Sequence, residues 1–232
     1  MAENPDPRPY GRRAFLGVVA GGLSALFWAE PVWHQARGAL RTAASILPSE
    51  LAEIVPTQGW RIYTVAATMP TFDQTSWRLR IGGLVERPLT LSYEDLRALP
   101  SAGQVSDFHC VTGWSVENVH WRGVRFRDLL AAARPLPEAQ ALTFFSAEKL
   151  YRDSLMLEQA LLPDAMLAYD MDGQPLTRAH GAPARVVIPE MYGYKNVKWV
   201  NRIEVTAKPV EGYWELLGYD RDAWVGRSNG YG

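Results

Sequence analysis

The single cysteine, Cys110, is the feature that most constrains how this chain can fold. One cysteine cannot form an intramolecular disulfide, so the 232 residues cannot form a small domain held together by disulfides. The chain is long enough for one domain plus a targeting segment, and its 47% apolar and 21% charged residues are typical of globular proteins. We therefore predict one compact domain stabilised by its own core and by any cofactor that it binds.

The charge of the chain argues against a nucleic-acid partner, and its aromatic residues are expected in the core. The formal net charge is −1, and no basic stripe is clustered along the sequence, so we expect no nucleic-acid partner. Nine Trp and ten Tyr are many for this length, and most of these rings are expected to pack in the core.

The apolar patterns predict short elements in an irregular order. Trp77 to Ile81 alternates apolar and basic residues, which indicates a half-buried strand that ends at Gly82-Gly83. The other predicted elements are strands at 89–91, 104–108, 141–146 and 165–169, helices at 126–133 and 154–162, and a short helix capped by Ser92. This order lacks the even alternation of a doubly wound sheet. We expect an α+β fold of mixed β-sheets with short helices.

The N-terminal segment has the features of a targeting signal. Arg12 and Arg13 precede a charge-free, glycine-diluted run from Ala14 to Ala29. This pattern resembles a twin-arginine export signal, and a plain membrane anchor is the alternative. The run is slightly shorter than the roughly 18 to 20 residues of a spanning helix.

Thr42-Ala43-Ala44 offers small residues for signal cleavage but lies far from the apolar run, so cleavage and retention both remain open. We predict a signal or anchor with its linker over residues 1–44 and an exported domain over residues 45–232. The domain is expected in the periplasm or at the outer face of the cytoplasmic membrane.

The surroundings of Cys110 distinguish between an inert buried residue, a reactive thiol and a metal ligand. The predicted strand from Gln104 to Phe108 carries Cys110 to its end, and a Gly-Trp-Ser turn then opens onto polar residues that we interpret as a loop. A soft thiolate at a strand end suits a metal ion of high charge.

A second cluster of polar residues lies between His180 and Lys198. Individually, these residues can be turn residues and solvated charges. Together, His180, Arg185, Lys195 and Lys198 lie on loops at either end of one predicted strand, with Gly181 and Gly193 allowing close backbone approach. Such a set can bind a dianionic phosphate, with Arg185 as a bidentate donor.

Both segments resemble the sulfite oxidase family of molybdopterin enzymes, and closest are its small bacterial members such as the periplasmic methionine sulfoxide reductases. His-Cys-Val-Thr-Gly-Trp-Ser matches the molybdenum segment, and His-Gly-Ala-Pro-Ala-Arg followed by Val-Lys-Trp matches the pterin-phosphate anchor. The resemblance implies a molybdenum–molybdopterin cofactor with one pterin per chain and Cys110 as the molybdenum ligand. The predicted cofactor-binding residues are Ser146, His180, Arg185, Lys195, Asn196, Val197 and Lys198.

The resemblance implies two-electron oxygen-atom transfer on a small-molecule substrate. Val111 to Trp114 replaces the arginine-containing sequence that follows the cysteine in sulfite oxidases, which favours an S-oxide or N-oxide. The alternatives are oxidation of a small anion such as sulfite and a non-catalytic exported binding module. His109, Thr112 and Trp114 are the predicted substrate entrance. We expect a monomer that exchanges electrons with a separate redox partner, such as a membrane haem protein or a quinone-linked protein.

Overall fold

The computed structural model describes residues 59–228. The predicted signal or anchor at residues 1–44 and the first residues of the predicted domain, 45–58, lie outside the described residues. Between residues 59 and 228, no helix is long and apolar enough to cross a membrane.

The described part of the chain contains short strands and helices in mixed order. The strands are β1 (Leu79–Gly83), β2 (Leu89–Leu91), β3 (Ala102–Cys110), β4 (Trp114–Arg125), β5 (Ala141–Ser146), β6 (Arg152–Met156), β7 (Met166–Met171), β8 (Gln174–Pro175), β9 (Arg185–Val187) and β10 (Val200–Thr206). The α-helices are α1 (Tyr93–Ala98), α2 (Phe126–Ala133) and α3 (Leu157–Ala160), and single 3₁₀ turns lie at Gly193–Lys195 and Glu215–Leu217.

These strands form two sheets. The first has the order β2-β1-β10-β5-β6, in which β1 and β10 are parallel and the other pairs are antiparallel. The second has the order β3-β4-β7-β8, with β9 also paired to β7, and all its pairs are antiparallel. Mixed sheets with few short helices confirm the predicted α+β class.

The core is divided by strand β7. Leu167 and Tyr169 point into the larger cluster, which also holds residues of the first sheet and of α2. Met166 and Ala168 point into a smaller cluster on the opposite face. Because successive strand side chains alternate between faces, β7 is buried on both sides, as its apolar sequence requires. The smaller cluster adjoins Phe108 and therefore the end of β3.

Two helices confirm the sequence predictions. Ser92 Oγ accepts a hydrogen bond from the Asp95 amide at 3.1 Å, and the Asp95 carboxylate accepts one from the Ser92 amide at 2.9 Å. This reciprocal pair is a capping box in which Asp replaces the usual Glu. Helix α2 has the predicted bounds and ends where Arg134 adopts a left-handed conformation.

The predicted helix at 154–162 is wrong in its first half. Ser154 and Leu155 belong to β6, where they pair with Thr143 and Leu142 of β5. Leu155 is 1% exposed, and Ser154 Oγ lies 2.9 Å from Thr143 Oγ1, so pairing with a distant strand overrides the local helical pattern. Only Leu157–Ala160 forms a helix.

The loop predicted after Gly113 is also wrong, because these residues form the long strand β4. Ser106 pairs with Val119 and Phe108 pairs with Val116, so β4 contains one residue more than β3 between these pairs. Asn118 has a φ of 55°, and its amide donates to the Asp107 carboxylate at 2.9 Å. This β-bulge interrupts the alternation that would have indicated a strand.

Candidate active site

A cleft enclosing about 940 Å³, its open mouth included, lies at the end of β3. Five regions of the chain line it: the loop at residues 60–65, the β3–β4 hairpin, Glu148 and Tyr151 between β5 and β6, residues between 179 and 199, and two aromatic residues near the C-terminus. Cys110, His180, Arg185, Asn196 and Lys198 all contribute to this lining. The structure therefore brings together two segments that are far apart in sequence.

Cys110 is held at the cleft by a tight hairpin. It pairs with Trp114, and the Gly113 amide donates to the Cys110 carbonyl at 3.0 Å. Gly113 has a φ of 86°, the left-handed conformation that a three-residue hairpin loop requires. The Cys110 Sγ lies 3.2 Å from Thr112 Oγ1, and the residue is only partly buried. A partly exposed thiol with a hydroxyl beside it is accessible to a metal centre in the cleft.

The three predicted entrance residues lie in different places. Thr112 and Trp114 line the cleft. His109 does not, because adjacent strand residues point to opposite faces, and its Nδ1 lies 2.8 Å from Ser115 Oγ. Two of the three predicted entrance residues therefore lie in the lining of the cleft, and His109 lies outside it.

His180 presents an unpaired nitrogen to the cleft. Its Nδ1 lies 2.9 Å from Thr177 Oγ1, whereas its buried Nε2 has no hydrogen-bond partner in the described residues. Burial, with the nearby charges of Arg185 and Lys198, lowers the pKa of His180 to about 3. His180 is therefore neutral near pH 7, and a group bound in the cleft can supply a partner for Nε2.

Arg185 is a buried cation without a counterion. It is 3% exposed, and no Asp or Glu in residues 59–228 forms an ion pair with it. Its Nη1 donates to the His180 carbonyl at 3.1 Å, and its guanidinium lies 5.2 Å from the centre of the Trp121 ring. Burial lowers the pKa of Arg185 to about 10, so it still carries its charge at neutral pH.

Lys198 completes a group of basic side chains that we call the phosphate anchor, defined as His180, Arg185 and Lys198. Its Nζ donates to two backbone carbonyls, Tyr63 at 2.6 Å and Ala179 at 3.3 Å. Burial lowers the pKa of Lys198 to about 7, with Arg185 acting in the same direction and Glu148 opposing. An ammonium group has three donors, so one remains for a ligand.

Gly181 makes this arrangement possible. Its φ is +104°, and a Cβ at this position would lie 2.9 Å from the Lys198 Cβ. Only glycine can occupy this backbone conformation and leave room for the Lys198 stem. The backbone at Gly181 is therefore closely approached, as expected, and the group that approaches it is the Lys198 side chain.

The other predicted cofactor residues lie around the anchor. The Asn196 side chain accepts from the Ile188 amide at 2.8 Å and shapes the loop, although the residue lines the cleft. Val197 and Ser146 are buried and do not line the cleft; Ser146 Oγ accepts from the Glu148 amide at 3.1 Å. Lys195 is buried in an ion pair with Asp153 at 2.8 Å and does not line the cleft.

Sequence reasoning missed several lining residues. The loop at residues 60–65 contains no motif that predicted a site, yet Trp60 is 5% exposed and its ring centre lies 5.1 Å from that of His180. Trp214 and Tyr219, also in the lining, have rings 5.2 Å apart. No periodic pattern marked these residues, because the contacts that place them are remote in sequence.

The cleft suits an anionic cofactor that carries a metal ion able to bind a thiolate. The phosphate anchor offers the charged Arg185 guanidinium, the Lys198 amine, whose charged form a bound anion would favour, and the unpaired Nε2 of His180, and a phosphate group would satisfy all three. The Cys110 thiol lines the same cleft and supplies a ligand of the type that high-charge metals of this class accept. The residues present therefore fit a metal-bearing, phosphorylated cofactor.

Comparisons with known proteins give the family. A model described as "Oxidoreductase molybdopterin binding domain" matches residues 66–214. An uncharacterized oxidoreductase of Bacillus subtilis, YuiH, is 41% identical over 155 residues, which cover 66% of this chain and 77% of YuiH.

Two further relatives are longer. The protein-methionine-sulfoxide reductase catalytic subunit MsrP of Campylobacter jejuni is 32% identical over 160 residues, and the match spans 62% of this chain and 54% of MsrP. The crystal structure of the sulfane dehydrogenase SoxCD from Paracoccus pantotrophus matches with a TM-score of 0.57 and 30% identity, over 61% of this chain and 41% of that one. The chain therefore belongs to the oxidoreductases with a molybdopterin-binding domain, and it is an enzyme with a molybdenum–molybdopterin cofactor.

Proposed function

We propose that this enzyme reduces an S-oxide or N-oxide by two-electron oxygen-atom transfer at a molybdenum bound to Cys110. The observation that supports this proposal is the Cys110 thiol in the same cleft as the phosphate anchor. When bound, the molybdenum cofactor supplies the oxygen-atom transfer. The protein holds the cofactor, shapes the cleft and limits which substrates reach the metal.

Each part of the cleft has a role in this proposal. Cys110 provides the thiolate ligand. Arg185 and Lys198 neutralise the cofactor phosphate, and His180 Nε2 hydrogen-bonds to it. The backbone at Asn196 and Val197 shapes the loop around the phosphate, whereas Lys195 and Ser146 support the cleft from outside its lining.

The entrance favours a neutral oxide over a small anion. Residues 111–114 contain no arginine, and aromatic rings such as Trp60, Trp114 and Trp214 line the cleft. Arg185 and Lys198 are assigned to the phosphate, and Arg61, which also lines the cleft, is exposed, so solvent screens its attraction for a dianion. The name of the Campylobacter relative, a protein-methionine-sulfoxide reductase, agrees with an S-oxide substrate.

A second candidate function is oxidation of a sulfur anion. The similarity to SoxCD, a sulfane dehydrogenase, favours it. A panel of S-oxides, N-oxides and sulfite, assayed with an artificial electron mediator, separates the two. Turnover of sulfite without turnover of any oxide would overturn the reductase proposal.

Cys110→Ala tests the metal ligand. We expect this variant to lose turnover while retaining pterin through the phosphate anchor, and Cys110→Ser to keep metal without normal activity. Molybdenum and pterin are measured separately by elemental analysis and by fluorescence of the released pterin. Normal turnover in Cys110→Ala would contradict the assignment. A purified protein without molybdenum would instead favour the non-catalytic binding module.

We further propose that the enzyme is exported by the twin-arginine route and receives electrons from a separate partner, such as a membrane haem protein or a quinone-linked protein. Replacing Arg12 and Arg13 together by Lys should leave cofactor-loaded enzyme in the cytoplasm. Fractionation of the unaltered protein distinguishes a cleaved periplasmic form from a membrane-anchored form. Activity confined to the cytoplasm would contradict export.

A further inference from the structure

The C-terminal part of the cleft wall is a short strap, which we define as residues 212–219. Trp214 and Tyr219 of the strap line the cleft. Between them, the 3₁₀ turn at Glu215–Leu217 exposes two leucines, each 61% accessible, so apolar burial does little to hold this turn.

One polar side chain of the strap is buried instead. The Glu215 carboxylate accepts hydrogen bonds from the Lys195 amine and, at 2.9 Å, from the Gly212 amide, and its side chain is 5% exposed. The Lys195 amine also contacts Asp153 Oδ1 at 2.8 Å and the Ser154 carbonyl at 3.1 Å. We call the three side chains Lys195, Asp153 and Glu215 the latch.

The strap also touches the latch through its backbone. A Cβ at Gly212 would lie 2.5 Å from Asp153 Oδ2, so the strap backbone packs directly on this carboxylate. The Tyr213 amide donates to the Arg152 carbonyl at 3.1 Å, which fixes the start of the strap on β6. The latch thus connects the segment that carries Trp214 to the loop that precedes Lys198.

We propose that Glu215 is a positioning residue that holds Trp214 and Tyr219 in the substrate-facing wall of the cleft through its contact with Lys195. This inference rests on the proposed function, because it assumes that substrate enters between these rings and the hairpin of Cys110. Glu215 acts at a distance, since it lies outside the cleft lining. Its loss should weaken substrate binding and leave the metal site intact.

The test is Glu215→Gln in the cofactor-loaded enzyme, with Glu211→Gln as the matched control. Glu211 lies next to the strap and pairs with Arg221 at 3.3 Å, but both side chains are 55% exposed. Loss of one buried charge-assisted contact should raise the KM for an S-oxide about tenfold, with kcat within about twofold and molybdenum content unchanged. Glu211→Gln should change neither constant.

A second readout does not depend on turnover. The emission of Trp214 is obtained as the difference between the enzyme and its Trp214→Phe variant, each with or without Glu215→Gln. Acrylamide quenching of this emission should increase with Glu215→Gln and stay constant with Glu211→Gln. If no oxide is turned over, the proposed function fails, and quenching still decides whether Glu215 positions the strap.

Gly212→Ala tests the same geometry without removing a charge, and it serves where Glu215→Gln does not fold. Its Cβ would displace the strap from Asp153, so we expect the same rise in KM and in quenching. An unchanged KM with unchanged quenching in either folded variant would overturn the proposal. Loss of molybdenum in both variants would also overturn it, because the latch would then support the cofactor site and not the strap.

Discussion

Lys195 and Lys198 are three residues apart and both largely enclosed by protein, yet their surroundings are opposite. Lys195 contacts two carboxylates, Asp153 and Glu215. Burial alone would lower the pKa of Lys195, but these carboxylates outweigh burial and raise it. In the described structure the Lys198 Nζ donates to two carbonyl oxygens and lies 4.2 Å from the centre of the Trp199 ring, and burial lowers the pKa of Lys198 to about 7.

The difference separates a structural charge from a ligand-binding charge. A buried cation that the protein already neutralises has little left to offer a ligand. A buried cation with only partial dipolar compensation gains most from an incoming anion. Arg185 belongs with Lys198 in this respect, so the phosphate anchor and the latch are two uses of the same residue type within one segment.

The largest expected difference between Lys195 and Lys198 is in their contribution to the free energy of unfolding. Lys195→Met leaves two buried carboxylates without their cation and should lower the free energy of unfolding of the cofactor-free protein by about 3 to 5 kcal/mol. Lys198→Met should not lower it, because the depressed pKa of Lys198 means that its charge destabilises the fold at neutral pH. Urea denaturation measures both, with the exposed Lys208→Met as the control. Equal losses for the two buried lysines would remove the distinction.

Cofactor binding should show the reverse order. The double variant Arg185→Ala, Lys198→Ala leaves the cofactor phosphate under-compensated, at a cost of about 2 to 5 kcal/mol in cofactor affinity. Molybdenum and pterin content should therefore fall after purification. The double variant Lys208→Ala, Arg127→Ala, which removes two exposed basic residues, should keep both. Normal occupancy without Arg185 and Lys198 would show that these residues do not bind the phosphate.

The smallest expected effect, per pH unit, is on how the stability of the cofactor-free protein depends on pH. In the cofactor-free protein the pKa of Lys198 falls from 10.5 to about 7, so between these values the unfolded chain binds a proton that the folded chain lacks. Stability should rise with pH across this window, by at most about 1.4 kcal/mol per pH unit, and Lys198→Met should abolish the rise.

The latch predicts the opposite slope at lower pH. Burial raises the pKa of Asp153 from 3.8 to about 7, against the attraction of Lys195. The folded chain then binds the extra proton between these values, so the Asp153 contribution to stability should fall as pH rises through them. His180, with its pKa lowered from 6.5 to about 3, contributes the opposite slope in this range, so the Asp153 contribution is taken as the difference between the protein and its Asp153→Asn variant. Thermal unfolding measured from pH 4 to pH 10 tests both slopes. A difference between the protein and Asp153→Asn that rises with pH through the acidic window would refute the assignment of Asp153.

Sequence reasoning succeeded where chemistry is local. The motifs around Cys110 and from His180 to Arg185 indicated the lining residues of one cleft, and the pattern at 126–133 gave helix α2 with its bounds. Sequence-based prediction failed where a contact with a residue remote in sequence determines the structure. Lys195 looks like Lys198 in sequence, and only the fold brings Asp153 to it. Strand β6 forms because β5 pairs with it, against its own helical pattern.

The bulge at Asn118 has a consequence for how the hairpin tolerates change. Before the bulge, Trp114 and Val116 lie opposite Cys110 and Phe108; beyond it, Val119 and Trp121 lie opposite Ser106 and Gln104. Because of the extra residue, the side chains of β4 on both sides of the bulge point to the faces that they need, near the thiol and in the aromatic core. Deleting Asn118 would therefore have one of two results. Either the core residues of β4 turn outward, or the hairpin shifts by one residue and His109 takes the place of the thiol at the cleft.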